Sequence, residues 1–247
     1  MSRRRFYAPG DSIRGDVALL PHDQAHHLRD VLRLKNGDAV EVFDGEGAAY
    51  SGKVRYDGER VRIESLRRQS PPEERRTDLI LAQALLKADR FEWVLQKATE
   101  LGVSQVIPLE TRFCDVRVPE SRIDGRMERW RRIVREASRQ SCRHSVPEIR
   151  KPMSLSSLLA LDGIARHNRL FLYENASVRW DSSLPPATSY LLCVGPEGGW
   201  HPAEAEAASG AGFTLFNLGP RILRAETAAL AAVTLIQFQI ADVRVNV

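Results

Sequence analysis

The sequence predicts an α/β protein in which a small β-rich domain precedes a mostly parallel sheet with helices on both faces. Three observations predict this class. Residues 1–70 alternate apolar and polar side chains around two Asp-Gly turns, which is typical of hairpins. A proline-rich, charged stretch, SPPEERRTD, marks a domain boundary. In residues 77–247, short apolar runs alternate with amphipathic segments, as in a parallel sheet whose strands are buried on both faces.

The first domain, residues 1–70, is predicted to be a small barrel with one short helix. Strands are predicted in DAVEVFDGEG and in AAYSGKVRYDGERVRIESL, where glycine supplies the positive φ of each turn. The segment HDQAHHLRDVLRL differs, because its apolar residues recur at helical spacing. It is therefore predicted to be the helix.

The second domain, residues 77–247, is predicted to alternate strands with helices. Five apolar runs read as buried strands: TDLILAQALL, VSQVIPLE, LFLYE, SYLLCVG and FTLFNLG. Four segments read as helices: ADRFEWVLQKATELG, which ends at Gly102, the basic residues 120–141, PAEAEAASGAG and the apolar AETAALAAVTLIQFQIAD. Helices between strands provide the crossovers that parallel pairing requires.

Composition excludes several classes of protein. With 43% hydrophobic and 28% charged residues, the chain is not of the disordered type. No apolar run reaches the roughly 18 residues that span a bilayer, and the start MSRRRFYAPGD lacks the apolar stretch of a secretory signal. The three cysteines are far apart and form no CxxC pair, so neither a disulfide framework nor a metal site is expected. We expect an intracellular protein without membrane or metal partners.

Positive charge is concentrated in one block. The net charge is +4, but residues 112–151 alone carry twelve basic and six acidic residues. Arginine supplies nearly all of the excess, and its guanidinium binds phosphate oxygens and stacks on bases. A solvated helix face and an RNA-binding patch both fit this pattern.

Three predicted strands are followed by polar or glycine-rich loops. They are Leu172–Glu174, VGPEGG at 194–199 and LGPRILR at 218–224. In an open parallel sheet, ligands bind beyond the carboxyl ends of the strands. No GxGxxG or GxxxxGK[ST] motif occurs, so a dinucleotide or a P-loop nucleotide is not indicated. From the chemistry alone, the glycine loop fits a structural turn as well as a ligand cradle.

The combination of motifs is more specific than any one of them. VGPEGGW, followed about twenty residues later by LGPRILRAETAAL, resembles the RsmE family of 16S ribosomal RNA uridine-N3 methyltransferases, in the SPOUT superfamily. Blocks similar to those of the family occur in the family's order along nearly the whole chain: RRRFYAP, HHLRDVLRLKNGDAVEVFDGEG, LLKADRFEWVLQKATELGV and RWRRIVREASRQSCRHSVPEI.

The resemblance implies a fold, a cofactor and partners. Residues 1–70 would be a PUA-like RNA-binding β-barrel, and residues 77–247 a SPOUT methyltransferase domain with a C-terminal trefoil knot. The cofactor would be S-adenosylmethionine (SAM), and the substrate 16S rRNA of the small ribosomal subunit. The protein would be a cytoplasmic homodimer. Two alternatives stay open: a SPOUT-type RNA methyltransferase acting on another base, and a non-catalytic RNA-binding protein of the same fold.

The resemblance, together with the chemistry of methyl transfer, assigns candidate residues. The candidate cofactor-binding residues come from the three loops and the following helix: Leu172, Val194, Gly195, Pro196, Gly198, Gly199, Leu218, Gly219, Ile222, Leu223 and Thr227. Uridine N3–H must lose a proton, so a cation and a base are needed. Arg221 and Arg224 are candidates for the cation, and Glu197 and Glu226 for the base. The candidate RNA-binding residues are arginines: Arg3, Arg4, Arg5, Arg132, Arg135, Arg139 and Arg143.

Several of these residues also have a structural explanation. Glu226 begins a helix, where the helix dipole favours a carboxylate. Arg224 also fits a dimer ion pair. Trp200 either packs the glycine loop or touches the ligand, and Glu174 is a further candidate for the pocket wall. These alternatives stay open at the level of the sequence.

Overall fold

The computed structural model describes residues 4–70, 78–87, 89–180 and 189–239. These residues form two compact units. The first contains the described residues up to 70 together with Arg135–Val146, and the second contains the others. The predicted domain limits placed Arg135–Val146 in the second domain. The structure groups it with the first unit, where the Val146 N–H donates to the Gly45 carbonyl at 2.8 Å.

The first unit contains a six-stranded mixed sheet. Its elements are β1 (Arg5–Tyr7), β2 (Ile13–Arg14), β3 (Val17–Leu19), α1 (His22–His26), β4 (Ala39–Phe43), β5 (Ala49–Asp57) and β6 (Arg60–Arg68). The strand order is β1-β4-β5-β6-β3-β2. β1 pairs with β4 in parallel and the other neighbours are antiparallel. Because the short end strands β1 and β2 do not pair with each other within the described residues, the sheet is an open half-barrel.

Local signals explain the elements of the first unit. Gly58 has φ +60° in the turn between β5 and β6, as the Asp-Gly pair predicts. The helix predicted in HDQAHHLRDVLRL is confirmed as α1 and a π-helical turn over His27–Val31 that follows it. Its Leu28 is buried in the core against strand residues such as Phe6 and Val42.

The second unit is a parallel sheet with helices. Its elements are β7 (Asp78–Ala84), α2 (Arg90–Glu100), β8 (Gln105–Glu110), α3 (Glu120–Gln140), β9 (Glu148–Ile149), β10 (Met153–Ser154), α4 (Leu155–Leu159), β11 (Asn168–Leu172), β12 (Ser189–Val194), α5 (Pro202–Gly210), β13 (Thr214–Phe216) and α6 (Ala225–Gln239). The last turns of α3 are grouped with the first unit. The strand order is β10-β8-β7-β12-β11-β13, with β9 beside β8, and every pairing among the described residues is parallel.

The predicted strands and helices of the second unit are confirmed within a few residues at their ends. Gly102 ends α2 with φ +90°. At the start of α5, the His201 side chain and Glu204 form a capping box around Pro202. Both segments therefore carry local signals strong enough to fix a helix end. The closing segment forms α6 as far as Gln239, and its last residues lie outside the described residues.

The connection from β13 to α6 decides where the pocket lies. β13 is an edge strand, yet α6 packs against α2 and the central strand β12. Residues 217–224 therefore return from the edge of the sheet toward its middle. The trefoil knot stays a prediction. No described helix is long and apolar enough to cross a membrane.

Candidate functional site

A pocket of about 970 Å³ lies at the carboxyl ends of three neighbouring strands. In the register of the parallel sheet, Leu172 at the end of β11 pairs with Val194 of β12 and with Phe216 of β13. The three following loops therefore leave the sheet at the same edge. This is the edge at which ligands bind in open parallel sheets.

The structure brings almost all predicted cofactor-binding residues together. Ten of the eleven line the pocket: Leu172, Val194, Gly195, Pro196, Gly198, Gly199, Leu218, Gly219, Ile222 and Leu223. Thr227 is not among the lining residues and lies in the first turn of α6. Three of the predicted catalytic residues, Glu197, Arg221 and Arg224, also line the pocket, whereas Glu226 does not.

The glycine loop is shaped by Trp200. Its indole Nε1–H donates to the Leu172 carbonyl at 2.9 Å, and its ring packs 4.3 Å from that of Phe171. A Cβ at Gly195 would lie 2.9 Å from the indole nitrogen, so only glycine fits there. Gly199 has φ +72° and closes the turn by donating to the Pro196 carbonyl at 3.0 Å. Trp200 therefore packs the loop, and it also lines the pocket.

Residues 218–223 form the opposite wall and offer free backbone donors. The N–H groups of Leu218, Ile222 and Leu223 form no hydrogen bond with any described residue. The side chain of Ile222 is 94% exposed. Asn217 anchors the start of this wall, because its Oδ1 accepts the Gly219 N–H at 2.9 Å. The wall thus combines apolar side chains with main-chain donors that are available to a ligand.

Charged groups of both signs border the pocket. Arg179, Arg221 and Arg224 form no ion pair with another described residue. Arg90, at the start of α2, behaves differently. Its Nη1 lies 3.2 Å from Glu197 Oε1, and its Nε lies 3.9 Å from Glu226 Oε1. The two predicted candidates for the base are therefore already paired with a guanidinium.

Two charged lining residues, Arg90 and Arg179, were not among the predicted site residues, and a third, Glu174, was considered only as a candidate for the pocket wall. Arg90 lies in a helix whose spacing indicated only an amphipathic face. Arg179 lies in an irregular segment, where its guanidinium would be 3.2 Å from a Cβ at Gly219. Glu174 was weighed as a wall residue, and its Oε1 would be 2.9 Å from a Cβ at Gly199. Its place directly after a strand was the only signal in the sequence.

The cysteines lie outside this pocket. Cys193 is buried in β12, where burial raises the pKa of its thiol far above the usual value. Cys114 is also buried and donates to the Leu85 carbonyl at 3.0 Å. Neither thiol is placed to act as a nucleophile, because the thiolate is the reactive form.

The predicted RNA-binding arginines differ in how accessible they are. Arg132 is exposed on α3 and forms no ion pair with a described residue. The Arg4 side chain is 51% exposed and lies 3.5 Å from Asp38. Arg143 is half-buried, with its Nη2 3.4 Å from Ser145 Oγ. Arg3 lies outside the described residues.

Two further arginines of α3 are held by carboxylates. Arg139 is 18% exposed, and its Nε lies 2.9 Å from Glu136. Arg135 is 29% exposed, lies 3.4 Å from Asp23 and places its guanidinium 5.3 Å from the ring centre of Tyr7. Both are therefore less available to phosphate than Arg132.

The prediction that Arg5 binds RNA is wrong. Its side chain is fully buried, with Nε 2.6 Å from Glu41 Oε1 and Nη2 donating to the Arg143 carbonyl at 2.8 Å. The guanidinium also lies 4.3 Å from the ring centre of Phe43. Burial lowers the pKa of Arg5, and Glu41 opposes that shift. Arg5 therefore joins β1 to residues 135–146 inside the first unit.

Comparison with known proteins places this geometry in a family. An RNA methyltransferase domain model matches residues 73–237, and an RNA methyltransferase PUA domain model matches residues 20–64. Ribosomal RNA small subunit methyltransferase E of Bacillus subtilis (strain 168) is 31% identical over 242 residues, which cover 94% of this chain and 91% of the relative. The enzyme of the same name from Mycobacterium tuberculosis is 34% identical over 232 residues, covering 92% and 88%. The chain belongs to the ribosomal RNA small subunit methyltransferase E (RsmE) family.

Solved structures agree with this RsmE assignment. The enzyme of that name from Neisseria gonorrhoeae, bound to SAM, has a TM-score of 0.86 and 32% identity, covering 96% of this chain and 97% of its own. A methyltransferase from Legionella pneumophila in complex with SAM has a TM-score of 0.86 and 31% identity, covering 96% and 98%. The predicted fold class, a SPOUT-type α/β domain after a PUA-like domain, is confirmed.

Proposed function

We propose that this RsmE-family protein transfers a methyl group from SAM to N3 of a uridine in 16S rRNA. The observation that carries the proposal is the pocket at the ends of β11, β12 and β13, lined by ten of the residues that the family motifs assign to the cofactor. The relatives that share most of the chain are named as ribosomal RNA small subunit methyltransferases. Similar structures were solved with SAM bound.

The residues present fit SAM. An adenine ring needs apolar contact and main-chain groups that read its polar edge, and the wall at Leu218, Ile222 and Leu223 offers both. The methionine end carries a carboxylate and positive charge. Arg179, beside Gly219, and Glu174, beside Gly199, supply the complementary charges from the two walls of the pocket. A volume of about 970 Å³ is at the upper end of the usual range for small-molecule sites, which leaves room for a nucleobase beside the cofactor.

When bound, SAM supplies an electrophilic methyl group on a sulfonium. The protein's own part is alignment of the two reactants and stabilisation of charge. Uridine that has lost its N3 proton carries negative charge on O2 and O4. Arg221 and Arg224, which line the pocket and have no carboxylate partner among the described residues, are the groups that can hold that charge.

The two predicted candidates for the base, Glu197 and Glu226, are poorly placed to accept the proton. Glu197 Oε1 already accepts the Lys87 backbone N–H at 3.1 Å and the Arg90 Nη1–H at 3.2 Å. Glu226 is paired with the same arginine and does not line the pocket. We therefore assign the proton to solvent and the stabilisation of the resulting anion to the free arginines.

The remaining partners follow from the family. We infer a cytoplasmic enzyme, since its substrate is ribosomal RNA, and we assign phosphate contacts to Arg132 and Arg4.

We also infer a homodimer. Large apolar side chains are exposed on the packed helices α2 and α6, with Trp93 44% and Phe238 75% exposed. A second copy would cover them. Light scattering after size exclusion should give twice the monomer mass, and a monomer at micromolar concentration would refute the dimer.

The function is tested with purified protein. SAM titrated in a calorimeter should bind, and small ribosomal subunits or free 16S rRNA incubated with protein and SAM should yield 3-methyluridine on digestion to nucleosides and mass spectrometry. No heat with SAM would favour a non-catalytic RNA-binding protein. Another methylated nucleoside in place of 3-methyluridine would show a different target base.

A further inference from the structure

The glycine loop is held from the side of β7 and α2. β7 is the neighbour of β12 in the sheet, with Gln83 in register with Val194. The buried Gln83 side chain donates through Nε2 to the Gly195 carbonyl at 3.3 Å. Further along the loop, Glu197 Oε1 accepts the Lys87 N–H at 3.1 Å. A loop with three glycines has high conformational entropy when free, so such contacts are needed to keep one shape.

Arg90 connects the glycine loop to the opposite wall of the pocket through ion pairs. It is the first residue of α2, and its guanidinium lies between two carboxylates whose chain segments form different walls. Glu197 belongs to the glycine loop, and Glu226 follows directly on Ala225, which lines the other wall at the start of α6. The distances are 3.2 Å to Glu197 Oε1 and 3.9 Å to Glu226 Oε1.

Glu226 depends on this arginine for compensation of its charge. Its side chain is 14% exposed, and its Oε2 is buried without a hydrogen-bond partner among the described residues. A buried carboxylate without a partner is costly, so the guanidinium, together with the N-terminus of α6, offsets the charge at this position. Arg90 thus compensates Glu226 and orders the loop through Glu197 with one side chain.

We propose that Arg90 is a positioning residue for the cofactor: its guanidinium, between Glu197 and Glu226, sets the distance between the glycine loop and the opposite wall, residues 218–223, together with the start of α6. The inference rests on the proposed function, because the positioned ligand is SAM. Arg90 acts through the two carboxylates and not on the methyl group or the base. Its rigid, planar fork directs donors toward two acceptors at once, whereas the lysine ammonium carries its three donors on one atom at the end of a flexible stem.

The test is SAM affinity measured by calorimetry on the full-length protein. Arg90→Gln is expected to raise Kd for SAM by about ten-fold or more, the effect of losing a charge-assisted hydrogen bond. KM for RNA should stay within about two-fold of wild type, because the proposed role of Arg90 concerns the cofactor and not the base. Arg90→Lys should recover part of the affinity. Arg117→Gln is the matched control. Arg117 pairs with Glu110, with 3.2 Å between their charged atoms, and neither residue lines the pocket.

A double variant makes the test specific. If Arg90 acts through Glu197, then Glu197→Gln should weaken SAM binding too, and Arg90→Gln/Glu197→Gln should be no weaker than the worse single variant. Wild-type affinity in Arg90→Gln, or losses that multiply in the double variant, would overturn the inference while leaving the proposed function intact. A wild-type protein that takes up no SAM would instead refute the proposed function itself. Should Arg90→Gln fail to fold, the comparison of Arg90→Lys with Glu197→Gln decides the question.

Discussion

The indole N–H of Trp200 donates a hydrogen bond to the backbone carbonyl of Leu172 at 2.9 Å. This bond joins two loops that are far apart in sequence, the end of β11 and the glycine loop after β12. Both loops line the same pocket. Because Gly195 has no side chain, the indole ring can lie against the loop's backbone. Trp200 is therefore part of the frame that keeps the pocket open in one shape.

Replacing Trp200 with phenylalanine should weaken both the fold and the site. The variant keeps an aromatic ring in the core but leaves the Leu172 carbonyl without its donor, at a cost of about 1–3 kcal/mol in the free energy of unfolding. Urea denaturation measures the stability, and calorimetry with SAM measures the affinity. Trp130→Phe is the matched control, because Trp130 is also buried but its indole N–H has no hydrogen-bond partner among the described residues. Equal losses of stability and of SAM affinity in the two variants would contradict the conclusion that the hydrogen bond from Trp200 to Leu172 shapes the pocket.

Most of the fold could be predicted because its signals are local. The apolar runs of β7, β8, β11 and β12 and the helical spacing of α2 and α3 are strong patterns, and all are confirmed. The short elements β9, β10 and α4 were missed, since two to five residues carry too little periodicity. The assignment of Arg135–Val146 to the first unit was also missed, because it depends on contacts such as Val146 with Gly45 that are distant in sequence.

The site could be predicted as loops but not as a network. Glycines and strand ends identified the walls from their sequence alone. The ion pairs of the charged side chains could not be predicted from the sequence, because they depend on which helices and loops lie next to each other in the fold. Arg90 looked like a helix-surface residue, and Glu197 and Glu226 looked like free carboxylates; the structure pairs all three. Arg5 looked like part of a basic terminus, yet its neighbours bury it.

Replacing Arg5 should destabilise the first unit rather than remove an RNA contact. Arg5→Leu leaves Glu41 without its partner and leaves the Arg143 carbonyl without a donor, for a cost of about 3–5 kcal/mol in the free energy of unfolding. Urea denaturation provides the measurement. Arg4→Ala should cost less than about 1 kcal/mol, because that side chain is 51% exposed. A stable Arg5→Leu protein with weakened RNA binding would restore Arg5 to the RNA-binding surface.

Salt dependence should separate the free arginine of α3 from a paired one. Each phosphate contact adds roughly one unit to the slope of log affinity against log salt. Arg132→Ala should therefore lower that slope by about one for 16S rRNA fragments, whereas Arg139→Ala should change it less, because Glu136 already holds Arg139. Filter binding from low to physiological salt measures both. If the two variants have the same slope, accessibility does not decide which arginine contacts RNA.

Arg224 should matter for turnover more than for cofactor affinity. It lines the pocket without a carboxylate partner, so removing it leaves no uncompensated charge in the fold. If it stabilises the uridine anion, Arg224→Ala should lower the single-turnover rate by about 10²–10³, the usual cost of losing one charge-stabilising group. SAM affinity and thermal stability should stay near wild type. Arg221→Ala, in the same wall, shows whether the two guanidiniums share the task. A change in the dimer equilibrium with an unaltered single-turnover rate would instead assign Arg224 to the subunit interface.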